Sequence, residues 1–125
     1  MGNKNRLFKI WLSATSIGIL FFGFFMAFFM DPTILPIKQS AVTKLILGIL
    51  GSTMMGWAIT IFFVGRYAFS QKNSFLLKAI LVGLVIWFIP DTAISVYLEA
   101  YFNVIVNVII LIAALIPIMY GLREF

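Results

Sequence analysis

The sequence predicts an all-α, polytopic membrane fold of four transmembrane helices in an up-down-up-down bundle, and three observations carry that expectation. The chain is 63% hydrophobic and only 10% charged over 125 residues, so lipid is the solvent its composition suits. Its apolar residues gather into four stretches of about 20, the length of helix that crosses about 30 Å of hydrocarbon. Charged residues mark the ends of these stretches, and one carboxylate, Asp91, falls inside.

The first span covers about 10–30, from Ile10 to Met30 between Lys9 and Asp31. Its apolar run is longer than the core of a cleavable signal peptide and no small-x-small site precedes Asp31, so it is expected to stay as a helix. In the loop from Asp31 to Lys44, Pro32 and Pro36 argue against a continuous helix, and Ser40 suits the N-cap of the next helix. The second span covers about 45–65, between Lys44 and Arg66. The third covers about 78–98 and contains Asp91; the fourth covers about 100–122, ahead of Arg123, which leaves only the Tyr97 to Tyr101 region as their connection. Trp11, Tyr67, Tyr97, Tyr101 and Tyr120 fall near span ends, as interfacial aromatics do, whereas Trp57 and Trp87 are expected to pack inside. The whole chain, 1–125, reads as one transmembrane domain, without internal repeats.

Of the nine Lys and Arg residues, Lys4, Arg6, Lys9, Arg66, Lys72, Lys78 and Arg123 lie on one side of a four-span topology. Lys38 and Lys44 lie on the other. By the positive-inside rule both termini are expected to be cytoplasmic.

Cysteine and histidine are both absent. Disulfides, thiolate nucleophiles, His-ligated metals and Ser-His-Asp catalysis are thereby excluded, and no catalytic residue, cofactor site or metal site is expected. The net charge of +5 comes from basic residues at span ends, where it meets anionic headgroups. Basic residues do not interleave with aromatics in the way nucleic-acid binding needs. The bilayer is the expected partner, with a homo-oligomer or a larger membrane complex left open.

A carboxyl group inside a span costs roughly 3 kcal/mol on insertion scales and should face protein or water. If the third connection is a tight hairpin centred near Glu99, Asp91 levels with Asn107 and Ser95 with Asn103. Each pair is also one turn apart on its own helix, so Asp91, Ser95, Asn103 and Asn107 form a candidate intramembrane polar site. Such a site either fastens two helices or lines an outward cavity that handles a proton, a cation or a polar headgroup. Pro90 adds to both readings, because it leaves the Ile86 carbonyl without its helical donor. In the second span Gly48, Ser52, Gly56 and Thr60 recur every four residues and are expected to form a helix-packing seam, with Ala14 and Gly18 as its counterpart. Arg66, Lys72 and Lys78 form a basic cluster that topology explains, lipid phosphate binding being the sharper alternative.

The pattern Gly56-Trp57-Ala58 with Arg66, then Trp87-Phe88 before Asp91-Thr92 and Ser95, then Asn103, Asn107 and Pro117, resembles small four-helix bacterial membrane proteins of a DoxX-like kind. The resemblance covers the second half of the chain best and implies a bacterial inner-membrane location, an up-down-up-down bundle and no established activity. Three function classes follow: a non-catalytic accessory or structural component, a small oligomeric transporter or proton- or cation-coupled carrier using Asp91, and a lipid- or quinone-active enzyme. The missing catalytic residue sets favour the first.

Overall fold

A computed structural model describes residues 2–30 and 40–125. Pro32, Pro36 and the break in the helix expected at them lie outside the described residues. The described residues form four helices: α1 (Gly2–Phe28), α2 (Ala41–Ser70), α3 (Ser74–Tyr97) and α4 (Tyr101–Glu124). Each is long and apolar enough to cross a membrane, and among the described residues there is no strand. The all-α, four-helix membrane architecture is therefore as expected. α1 and α2 begin earlier than the apolar spans do, since a helix continues into the headgroup layer where water satisfies its open amides.

Local chemistry sets the helix ends. Ser40 is extended and its hydroxyl accepts from Thr43 N, the anticipated cap of α2. α2 and α3 are joined by three residues around Lys72, which sits at φ 50°. Asn73 N donates back to Ala68 O at 2.8 Å while the Asn73 side chain accepts from Leu76 N, so one residue closes one helix and opens the next. The α3–α4 turn repeats the device. Glu99 stands at φ 57°, its N donates to Val96 O, and Ala100 N donates to Ser95 O at 2.8 Å, the paired bonds of a Schellman end with a glutamate where glycine is usual.

Cross-contacts fix the register. Along α1 and α2, Asn5 bonds the Phe69 carbonyl, a side chain at Gly65 would run into Leu12, and Gly23 lies against Gly51; numbers rise on one helix as they fall on the other. The pairs Trp57–Trp87, Phe8–Tyr120 and Asp91–Asn107 join the remaining neighbours in the same antiparallel sense. The main core, including Leu12, Ile61, Phe69, Leu77, Leu84 and Ile118, fills the half of the bundle nearer the chain ends. Trp57 and Trp87, rings 5.1 Å apart, connect it to a smaller cluster of Ile19, Ala58 and Ile110.

The α1–α2 interface corrects the expected seam. Ser52, Gly56 and Thr60 are exposed, and a Cβ added at Gly48 or Gly56 would meet nothing within 4 Å. Ala14 and Gly18 are exposed as well. The close approach is at Gly23 and Gly51 instead: a Cβ on Gly23 would lie 2.8 Å from the Gly51 carbonyl, and one on Gly51 would lie 2.6 Å from Ala27 N. The reason is periodicity. Residues spaced by four turn about 40° around a helix at each step, so the stripe from Gly48 to Thr60 winds away from any one neighbour. The buried positions of α2 (Leu47, Gly51, Ala58, Ile61, Gly65, Ala68) instead follow the alternating three-and-four spacing that stays on a seam.

α4 holds a second fastening that depends on a proline. Pro117, buried inside α4, has no N–H, so the Ala113 carbonyl loses its helical donor. Trp11 of α1 replaces it, its indole Nε1 donating to Ala113 O at 3.0 Å.

Candidate intramembrane polar site

Asp91 directly follows Pro90, which lies inside α3 and has no N–H to give the Ile86 carbonyl its usual helical donor. It faces α4 and is half-buried. Because Glu99 closes the hairpin tightly, Asn103 and Asn107 on α4 come level with Ser95 and Asp91 on α3. Asn107 Nδ2 donates to Asp91 Oδ1 at 2.7 Å, and Asn103 Nδ2 donates to the same oxygen at 2.7 Å and approaches Ser95 Oγ at 2.8 Å.

All four residues expected at this site are therefore brought together, in the expected pairs. The Ser95 hydroxyl donates to the Asp91 carbonyl at 2.7 Å and stands 3.4 Å from Oδ1. Sequence reasoning missed Thr92, whose Oγ1 lies 3.2 Å from Asn107 Nδ2. It is adjacent to Asp91 and one turn from Ser95, so the facing-stripe argument had reach enough to find it.

The network is directional. Both asparagine amides spend donors on one carboxyl oxygen, so Asp91 acts here as an acceptor toward α4. Asn107 is 2% exposed and Ser95 6%, while Asp91 and Asn103 are half-buried, so the two helices partly shield the network and lipid offers no donor to replace it. Asp91 Oδ2 takes no hydrogen bond from the described residues. Among those residues no group of three or more His, Cys, Asp or Glu side chains is placed to hold a metal.

The other expected feature, the stripe Gly48, Ser52, Gly56 and Thr60, stands apart from this network. Its hydroxyls turn back onto their own helix, Ser52 to the Gly48 carbonyl and Thr60 to the Gly56 carbonyl, and it leaves α2 with a smooth outward face. An apolar groove of ≈360 Å³ runs between α1 and α4 beside Gly18, Phe22, Val106 and Ala113; its walls offer no ionisable group. Compared with known proteins, the chain matches no protein-family model, no curated protein and no solved structure.

Proposed function

We propose that this chain is a non-catalytic accessory or structural component of a bacterial inner membrane, with both termini cytoplasmic, and that its intramembrane carboxylate fastens the α3–α4 hairpin. The observation that carries this reading is the convergence of two asparagine amides on Asp91 Oδ1, both at 2.7 Å: the costly group is engaged by its own hairpin. The uncovered face of α2 supports the accessory role, since Gly48 and Gly56 leave its backbone open to another helix, of a second copy or of a larger complex. The cytoplasmic assignment rests on the basic residues at one end of the bundle, and the DoxX-like relationship on the residues quoted above.

A second reading, a proton- or cation-coupled carrier, draws support from Asp91 Oδ2, which no described residue engages. Proteoliposomes containing a trapped pH dye distinguish the two. The structural role predicts the same proton leak for wild type and Asp91→Asn, with or without an imposed sodium gradient; a proton flux lost in Asp91→Asn would establish the carrier.

A further inference from the structure

Away from the carboxylate network, four polar side chains meet across the α1–α2 seam at its basic end. Lys9 Nζ donates to Ser70 Oγ at 2.8 Å. One turn deeper, Arg66 Nη1 donates to Ser13 Oγ at 3.4 Å. Each rung pairs a cation on one helix with a serine on the other, and the order reverses between rungs. Residues 9 and 13, like 66 and 70, are one turn apart, so the rungs stack about 6 Å from each other.

Two positive charges are thus gathered on one seam. Topology requires basic residues at this end of the bundle, but it does not require two of them to face each other across adjacent turns. Ser13 is 7% exposed and its hydroxyl donates to the Lys9 carbonyl at 2.8 Å, which leaves its lone pairs to receive Arg66. The Arg66 guanidinium is also set over the Phe62 ring, 5.5 Å from its centroid. A lysine carries three donors and an arginine five, and each cation places one in its rung. The remaining donors are unclaimed by any acid in either rung.

We infer that Lys9 and Arg66, braced by Ser70 and Ser13, bind the phosphate of an anionic lipid headgroup, which lies between the two cations. Planar and point-like donors together suit a phosphate's several oxygens. Lys9 immediately precedes the first apolar stretch and Arg66 closes the second, the level at which headgroup phosphates lie. Exposed Phe63 and Ile59 continue the Ser70–Arg66 stripe of α2 into the membrane and give an acyl chain a surface to follow. This continuity favours a lipid over free phosphate. The site stands independently of the role proposed for Asp91.

The test is thermal unfolding of the full chain in a neutral detergent, titrated separately with didecanoyl phosphatidylglycerol, didecanoyl phosphatidylcholine and inorganic phosphate. Phosphatidylglycerol should raise the midpoint saturably and at lower concentration than the other two. Lys9→Gln and Arg66→Gln should each weaken its apparent affinity about fivefold, with about thirtyfold for the pair, from the usual contribution of a basic residue at an anionic surface. Arg66→Lys should recover part of the loss, and Lys78→Gln, at the same end but outside the rungs, should leave affinity within twofold. Should the double variant not fold, the single variants carry the same comparison. Equal weakening by Lys78→Gln would mean diffuse surface charge and overturn the site. An equal response to phosphatidylcholine would remove anion recognition, and an equal response to inorganic phosphate would overturn the lipid assignment in favour of free phosphate.

Discussion

Trp11→Phe and Pro117→Ala should be coupled, because the indole of one stands in for the amide that the other lacks. In the wild-type chain Trp11→Phe removes the donor at 3.0 Å from the Ala113 carbonyl while keeping an aromatic ring beside Phe8. The carbonyl, on the exposed side of the α1–α4 contact, is then left without a donor. Hydrogen bonds between membrane helices average about 0.6 kcal/mol and reach about 1.7, and the lost ring area adds about 0.5 kcal/mol, so a loss near 1.5 kcal/mol is expected. In the Pro117→Ala background, residue 117 regains an N–H that closes the helical bond to Ala113. Trp11→Phe should then cost only its lost ring area, about 0.5 kcal/mol on area bookkeeping. Reversible unfolding of the four proteins of this cycle in bicelles gives the coupling directly, with about 1 kcal/mol expected. A coupling of zero within error would refute the claim that Trp11 satisfies the carbonyl freed by Pro117.

The α1–α2 interface makes a paired prediction: Gly51→Ala should lose about 1–3 kcal/mol, because its Cβ meets the Gly23 carbonyl and Ala27, whereas Gly56→Ala, open on all sides, should be neutral or stabilise through helix propensity. Thermal midpoints in mild detergent that fall equally for both would mean that the two faces of α2 are wrongly assigned. At the α3–α4 turn, Glu99→Gly should stabilise by about 0.5–1 kcal/mol, since it removes the left-handed penalty at φ 57° net of glycine's greater unfolded freedom; a loss measured by chemical unfolding would mean the glutamate side chain holds the turn. Reporter fusions after Phe125 should report a cytoplasmic carboxyl terminus, and an external signal there would reverse the orientation drawn from the basic residues.

The four helices of the described residues and the short α2–α3 and α3–α4 connections could be read directly because hydrocarbon thickness sets span length and charge marks the ends. Ser40 was recognisable as a cap from residue type alone. The pairing of Asp91 with Asn107 and Ser95 with Asn103 was legible for a stronger reason: a short connection makes two helices antiparallel, and positions equidistant from Glu99 must then share a level. The α2 seam was not legible from its small residues. Gly48, Ser52, Gly56 and Thr60 form as regular a stripe as Gly51, Ala58 and Gly65, and only the alternating spacing of the buried set, matched on α1 by Leu12, Ser16, Ile19, Gly23 and Met26, separates them. The link between Trp11 and Pro117 was hidden for a different reason. A proline announces which carbonyl it frees, but which distant donor answers depends on how α1 settles against α4. The rungs of Lys9 with Ser70 and Ser13 with Arg66 likewise appear only once the α1–α2 register is known.

The central claim is that Asp91 serves as a hydrogen-bond acceptor that fastens α3 to α4, and the unfolding free energy of Asp91→Asn, set against that of Asp91→Leu, tests it most directly. An asparagine keeps an oxygen at the Oδ1 position, where Asn103 and Asn107 donate at 2.7 Å, and alters only the oxygen that no described residue engages. Asp91→Asn should therefore unfold within about 0.5 kcal/mol of wild type, whereas Asp91→Leu, which strands the buried Asn107 amide, should lose about 2 kcal/mol or more. An Asp91→Asn protein as unstable as Asp91→Leu would contradict the acceptor role and the hairpin fastening built on it.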